Sequence, residues 1–229
     1  MADQNTLTIR QEGIGNTISV DQSRATGSEI KGLKLDSGLL DPNSLQIELI
    51  DEAQQLGGNN DAEIDISGAG GRVYLYQNNT LDAPSGNGRN TASIASENGG
   101  VGLVWQNGFD NTARLEVNGG LDMSPALIVG QQNIDGAILQ YGSNNNGSVV
   151  TGEGSALLVQ NGDRNNAELD VSASPAGTSV VYTQNGNNMN SAAAAQVFTT
   201  AVGGTVSVTQ SSFGSVTSRG AVTVTQTAR

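Results

Sequence analysis

The stretch from Gln106 to Val117 reads QNGFDNTARLEV, and the stretch from Gln160 to Val171 reads QNGDRNNAELDV. Gln, Gly and Asn keep the same spacing in both copies, while the residues between them vary. After the Asn, small or apolar residues alternate with polar ones, which is typical of a β-strand that buries one face. The two stretches therefore predict a turn followed by a strand, and they predict that this unit recurs.

Further copies of the spacing Gln-x-Gly-x-x-Asn run through the chain. The full matches are Gln11-Gly13-Asn16, Gln55-Gly57-Asn60, Gln106-Gly108-Asn111, Gln140-Gly142-Asn145 and Gln160-Gly162-Asn165. The looser copies are Gln184-Gly186-Asn190, with one extra residue, Gln77 to Asn90, with a longer insertion, and Gln210 and Gln226, where only the Gln and the alternation before it remain. Apolar residues also fall two and four positions before these glutamines, so each unit reads as strand, tight turn and strand.

Successive glutamines are separated by roughly 20 to 29 residues, a period typical of a solenoid in which each unit buries its apolar face against its neighbours. The sequence therefore predicts an all-β chain, a single β-solenoid domain over residues 1–229 with cross-β stacking. We expect roughly eight to ten rungs, about 40 to 50 Å tall. Irregular insertions are predicted near residues 23–32 and 78–89. Leu45, Ile47 and Leu49 are predicted to form the second strand of a rung.

The polar residues of the motif continue the inward register of the apolar ones, so the pattern places amides at the ends of a buried face. Amides stacked at one position on successive strands bond to one another about 4.7 Å apart and so satisfy themselves. Gly accepts the positive φ of a sharp reversal, and Asn tolerates it better than most residues. The motif is therefore interpreted as a structural ladder rather than a catalytic site.

Composition excludes several classes of function. The net charge is −12 and the ten Lys and Arg are scattered, which argues against nucleic acid or an anionic lipid surface as a partner. No apolar run is long enough for a membrane-spanning helix. The chain has no Cys and no His, so disulfides, thiolate chemistry and a histidine base are absent. No catalytic residue, metal ligand or cofactor-binding residue is predicted, and the chain is not expected to be an enzyme.

The motif and its flanks resemble the curlin repeat, the strand-loop-strand unit of bacterial curli subunits. The fullest statements are TLTIRQEGIGNTISVDQ, in which Gln22 closes the repeat six residues after Asn16, and NSAAAAQ, in which Gln196 does so after Asn190. The resemblance covers most of the chain, from Leu7 to Gln226.

This resemblance implies a secreted subunit of an extracellular, amyloid-type fibre on the bacterial surface, or a holdfast-type anchor of such a fibre, with a role in adhesion and biofilm formation. Its implied partners are further copies of itself, stacked end to end into a homopolymer, and a nucleator, anchor or secretion protein of the outer membrane.

Three alternatives remain at this point. The stretch LGGNNDAEIDISGAGG at Leu56 to Gly71 is one loose match to a calcium-binding nonapeptide repeat. Acidic residues such as Glu116 and Glu168 could serve a β-helix enzyme acting on polysaccharide, although alternation places them on a solvated strand face. A monomeric β-solenoid adhesin is the third alternative. Trp105 and Tyr141 are expected to point away from the core, where covering an outer groove or lateral packing is the commoner role and stacking on sugars or on a partner is the other.

Overall fold

The computed structural model describes residues 4–35, 46–80, 88–119, 127–129, 132–152, 154–172, 177–189, 195–196, 204–211 and 221–227. Over these ranges the chain is all-β, and no helix occurs in them. The strands are β1 Thr6–Leu7, β2 Ile9–Glu12, β3 Thr17–Asp21, β4 Glu29–Leu35, β5 Ile47–Ile50, β6 Ala53–Leu56, β7 Asp61–Asp65, β8 Arg72–Asn78, β9 Thr91–Ala92, β10 Val101–Asn107, β11 Leu127–Val129, β12 Gln132–Ile134, β13 Gly136–Tyr141, β14 Asn146–Val150, β15 Ser155–Asn161, β16 Asn166–Asp170, β17 Ser179–Asn185, β18 Ala195–Gln196, β19 Thr205–Ser211 and β20 Ala221–Thr227.

Most strands belong to one 12-stranded sheet, in which the order is β1-β4-β8-β10-β13-β15-β17-β19-β20. Beside this path, β2 pairs with β6, β6 with β8, and β5 with β4. From β8 to β19 every neighbouring pair is parallel. The pairing brings equivalent motif positions level with one another, as where Gln106 lies between Gln77 and Gln140.

Three smaller sheets accompany the large one. The strands that follow the motif form two parallel three-stranded sheets, β3-β7-β9 and β14-β16-β18. Between these two sheets, the described residues make only isolated bridges, from Thr91 to Thr112 and from Thr112 to Asn146. Strands β11 and β12 form an antiparallel pair of their own.

The prediction of a β-solenoid of stacked strand-turn-strand rungs is wrong. The structure is a mostly parallel sheet, its strands after the motif do not join into a second continuous sheet, and pairing turns antiparallel at β4–β5, β11–β12 and β19–β20. Ile47 and Leu49 show most clearly why the solenoid prediction fails. Their alternation predicted the second strand of a rung, but they pair antiparallel with β4. Alternation identifies a strand with one buried face and does not specify which neighbour it pairs with.

An inner apolar core lies on the face of the large sheet toward which the motif glutamines point. Val104, Ile138 and Leu158 come from the large sheet, and Leu115 and Leu169 come from the segments that follow the motif. All five side chains are fully buried. The apolar residues that alternate in the sequence therefore line this inner core.

The large sheet also buries its other face, which the sequence did not predict. Trp105 is only 3% exposed and belongs to a second core with Leu33, Leu103 and Leu139. Partly buried residues of β4 and β5 and the partly buried Tyr141 pack against this core. Trp105 thus points away from the inner core, and its ring stacks between those of Tyr76 and Tyr141 in the second core, which is the packing role and not exposure to solvent.

The predicted insertions lie in different surroundings. The segment near residues 23–32 includes the start of β4, whose first residues pair in parallel with β8. Of the segment 78–89, residues 81–87 lie outside the described ranges.

Candidate functional site

Each motif turn is built from two residues with positive φ. The glycine of the motif has φ of +133° at Gly108 and +109° at both Gly142 and Gly162. The residue just before the motif asparagine is also left-handed, with φ of +55° at Asp110 and +56° at Arg164. A Cβ at any of the three glycines would overlap the carbonyl group of the glycine in the next turn. The turns can therefore stack closely only because glycine occupies that position.

The motif glutamines form one continuous ladder along the inner face of the large sheet. In each pair the Nε2 of one glutamine donates to the Oε1 of the next, always toward the strand later in sequence. The donor-acceptor distances are Gln11 to Gln55 2.7 Å, Gln55 to Gln77 2.8 Å, Gln77 to Gln106 2.8 Å, Gln106 to Gln140 2.8 Å, Gln140 to Gln160 2.8 Å, Gln160 to Gln184 2.9 Å and Gln184 to Gln210 3.1 Å.

The second N–H of each Nε2 forms a hydrogen bond from the large sheet to a segment that follows the motif. Gln106 donates to the carbonyl oxygen of Thr91 at 2.9 Å, and Gln140 donates to that of Thr112 at 2.8 Å. Gln77 makes the equivalent bond to Asp61. A fully buried amide inside the ladder therefore has both N–H groups and its oxygen bonded, which removes most of the cost of burying it.

The motif asparagines form a second ladder beside the turns. Asn111 Nδ2 donates to the carbonyl oxygen of Gly142 at 2.8 Å, while its Oδ1 accepts the backbone N–H of Asn145 at 3.0 Å. Asn145 repeats both bonds with Gly162 and Asn165. Each asparagine thus fixes the turn of the following unit, in the same direction as the glutamine ladder.

Motif residues of the other copies, strict and loose, occupy matching places. Asn16 bonds to Gly57 and to the backbone of Asn60. Asn90, at the end of the long insertion, is fully buried and donates to the carbonyl oxygen of Gly108. Gly13 and Gly186 also have positive φ.

The sixth turn departs from the sequence reading. Met189 is 2% exposed, and its backbone N–H donates to Asn165 Oδ1 at 3.1 Å, the bond that a motif asparagine makes elsewhere. The turn therefore contains no extra residue, and a methionine replaces the asparagine. Asn190, predicted for this place, lies outside the described residues.

Gln22 does not join the ladder, and the side chains of Gln196 and Gln226 lie outside what the structure describes. Gln22 donates to the Ser28 hydroxyl at 3.0 Å instead of to another glutamine. Gln196 lies on β18, and the structure describes its backbone only. Gln226 lies on β20 opposite Val206, so its register differs from that of Gln210, which faces Val222.

The two ends of the ladder differ. Gln11 is exposed, and no described residue donates to its Oε1. Gln210 is 8% exposed, accepts from Gln184, and is flanked by the antiparallel strand β20. On the surface beside the exposed end, the Thr17 hydroxyl donates to Asp61 at 2.6 Å, and Arg89 forms an ion pair with the same carboxylate. These two contacts hold the pKa of Asp61 below its ordinary value.

Sequence reasoning missed two parts of this arrangement. The first is the left-handed residue before each asparagine; the available signal was that Gly, Asn or Asp fills this place in most copies, as at Gly15, Asn59 and Asp110. The second is the direction of the ladder, which depends on how the amides are oriented and has no signature in the sequence.

The described residues contain no group of three or more His, Cys, Asp or Glu placed to hold a metal ion. Within the same residues, no helix has the length and hydrophobicity needed to cross a bilayer. The chemistry that the site offers is hydrogen bonding through aligned amides. Searches of protein-family models, of curated proteins and of solved structures found no match to this chain.

Proposed function

We propose that this chain is a structural subunit of an extracellular, amyloid-type surface fibre, or of the anchor that ties such a fibre to the cell. Its work in this proposal is assembly by adding parallel strands to a sheet edge. The observation that carries the proposal is the amide ladder, whose equivalent glutamines lie in register from Gln11 to Gln210.

A ladder of this kind supports association between chains because each glutamine inside it repeats the same bonds to its neighbours. Parallel strands that stack identical side chains in register are the basis of cross-β assemblies. An unpaired sheet edge is a template for another chain. Leu7, Ile9 and Ile14 lie near one such edge and are 44%, 36% and 86% exposed. Secretion and a role in adhesion enter the proposal only through the resemblance to curlin repeats.

The charge of the chain supports a soluble subunit before assembly. A net charge of −12 gives self-repulsion between free copies. At 0.1 M ionic strength, salt largely screens the repulsion between exposed charges that are more than about 10 Å apart. Assembly is therefore expected to become faster as the salt concentration rises.

The test is incorporation of the purified full chain into fibres at neutral pH. The seeds are sonicated fibres of a synthetic peptide copying residues 154–172, which carries one complete motif. We expect the chain to enter the pelleted fibres and the product to diffract at about 4.7 Å along the fibre axis. A chain that stays soluble with and without these seeds contradicts the proposal.

Two matched variants sharpen this test. Gln11→Leu removes the ladder group at the exposed edge and is expected to reduce incorporation. Glu168→Leu makes the same kind of change at an exposed position of β16, away from both ends of the large sheet, and is expected to leave incorporation unchanged. Equal effects of both variants would indicate that surface hydrophobicity, and not the ladder, controls incorporation.

A further inference from the structure

The outer side of β2 and β3 is the open end of both ladders, and we name it the β2–β3 edge. It consists of Ile9–Glu12, Thr17–Asp21 and the turn 13–16 between them. Strand β2 pairs only with β6 and β3 only with β7 among the described strands. Every residue of β2 is exposed.

The donors and acceptors at this edge that no described residue bonds to indicate which groups a binding partner would have to supply. Inside the fold, Gln55 Oε1 accepts from a glutamine, Gly57 O accepts from an asparagine side chain, and Asn60 N–H donates to that same side chain. The equivalent groups at the edge are Gln11 Oε1, Gly13 O and Asn16 N–H, and no described residue bonds to them. A partner must therefore supply one glutamine Nε2 donor and one asparagine side chain, at the spacing of the motif itself.

The opposite end of the large sheet is closed. All seven residues of β19 pair with β20, and the pairing is antiparallel. Strand β20 closes this end to the ladder, because a strand added on its free side would meet no glutamine at the level of Gln210. Val222, and no glutamine, lies opposite Gln210.

The sequence of the last copy agrees with this closure. Ser212 and Ser215 stand where the motif glycine and asparagine would be. A second copy of this chain therefore lacks, in its last motif, the asparagine that the β2–β3 edge requires. The partner that fits the edge is a different chain whose terminal unit has the complete motif Gln-x-Gly-x-x-Asn.

We propose that the protein joins a fibre of another chain through its β2–β3 edge and ends growth there, because β20 closes its other edge. This inference rests on the proposed function and adds a direction to it. The ladder adds from one side only, so one bound copy caps one fibre end.

Position-specific disulfide formation tests the proposal in a chain that has no natural cysteine. The probe is the peptide copying residues 154–172 with Val159→Cys. In a parallel, in-register pair this position lies level with Arg10, because Arg10 pairs with Gln54, Gln54 with Tyr76, and the register continues to Val159. Neighbouring Cα atoms in such a pair are about 4.8 Å apart, which suits a disulfide.

The full chain carries Arg10→Cys on β2 in one sample and Thr223→Cys on β20 in a control sample. We expect the peptide to cross-link to position 10 and not to position 223. A peptide that also carries Gln160→Leu is expected to bind about tenfold more weakly, the loss of one buried hydrogen bond worth about 1.4 kcal/mol. Equal cross-linking at positions 10 and 223 overturns the proposal, because both edges then accept strands and the chain elongates fibres.

Two further measurements keep the outcomes distinct. Without peptide, rapid self-dimerisation of the Arg10→Cys chain would overturn the choice of a different chain as the partner, because two copies would then meet at their β2–β3 edges. In seeded fibres, the wild type is expected to shorten the final length as its concentration rises, and Val224→Pro, which disrupts β20, is expected to abolish the shortening. Incorporation with unchanged fibre length contradicts capping while leaving the proposed fibre function intact; no incorporation contradicts both.

Discussion

Replacing Gln140 by leucine tests whether the ladder holds the fold together. Gln140 is fully buried and lies in the middle of the ladder. Its Oε1 accepts from Gln106, and its Nε2 donates to Gln160 and to the carbonyl oxygen of Thr112, each at 2.8 Å. Leucine has a similar size but makes none of these bonds, so the buried Gln106 N–H and the buried Gln160 Oε1 each lose a partner, while the Thr112 carbonyl oxygen still accepts the Gly147 N–H.

The magnitude follows from the two side-chain groups that lose their partner. Leaving one buried group unsatisfied costs about 1 to 3 kcal/mol, so the two together cost about 2 to 6 kcal/mol. Burial of the leucine side chain offsets up to about 2 kcal/mol, so the free energy of unfolding is expected to fall by about 2 kcal/mol or more. Gln11→Leu is the matched control, because Gln11 is exposed and has one ladder bond; its cost is expected to be about 1 kcal/mol or less.

The assay is urea unfolding of both variants, followed by far-UV circular dichroism at several protein concentrations. The expected result is a much lower midpoint for Gln140→Leu than for Gln11→Leu, at equal slopes. Equal midpoints would refute the reasoning, since they would mean that the position in the ladder does not determine the cost. A changed slope for Gln140→Leu would show that the substitution alters how much structure unfolds, and the two free energies could not then be compared.

Three other predictions concern the turns and the surface carboxylate. Gly142→Ala is expected to destabilise the chain by more than about 2 kcal/mol in the same urea assay, since the alanine would need a positive φ and its Cβ would overlap the next turn. Gly27→Ala is the control and should cost less, because φ is +65° there but nothing lies within 4 Å of the added Cβ. Arg164→Gly is expected to raise the unfolding midpoint, because its φ of +56° strains any residue with a Cβ; an unchanged or lower midpoint would contradict this. The bond with Thr17 lowers the pKa of Asp61, so the contribution of Asp61 to stability is present above its unfolded pKa of about 3.9 and is lost as the pH falls through its folded pKa. Asp61→Asn is expected to flatten the loss of thermal stability in that acidic range, and an unchanged pH profile would contradict the assignment.

The inner face of the large sheet could be predicted from sequence because its signal is local. In the phrase that begins at Gln106, the motif and the alternation place Leu115 and Val117 on the side that faces the inner core, and both are fully buried. The strand predicted after this turn is wrong, because residues 113–118 form no strand. The parallel register of equivalent glutamines also follows, because slipping a strand by one residue would move each inward side chain to the other face. These features depend on spacing alone.

The outer core could not be predicted because it depends on contacts between distant segments. Nothing near Trp105 in the sequence indicates that β4 and β5 lie against the same face. Ile47 and Leu49 have the alternation of a strand with one buried face, and the pattern is equal for parallel and antiparallel pairing. The solenoid prediction failed at this step, where the choice of neighbour decided the fold.

The glutamine ladder also accounts for why the copies can differ so much in length. Each glutamine bonds to the next through side-chain atoms whose positions depend on the strand register and not on the chain between strands. Gln77 and Gln106 are separated by an insertion, yet their bond is 2.8 Å, the same as that between Gln140 and Gln160. A substitution that shifts one strand by a residue would break the ladder on both sides of that strand, so the ladder makes all alternative registers less stable. The repeated residues thus specify which strands align, while the segments between them are free to cover the outer face.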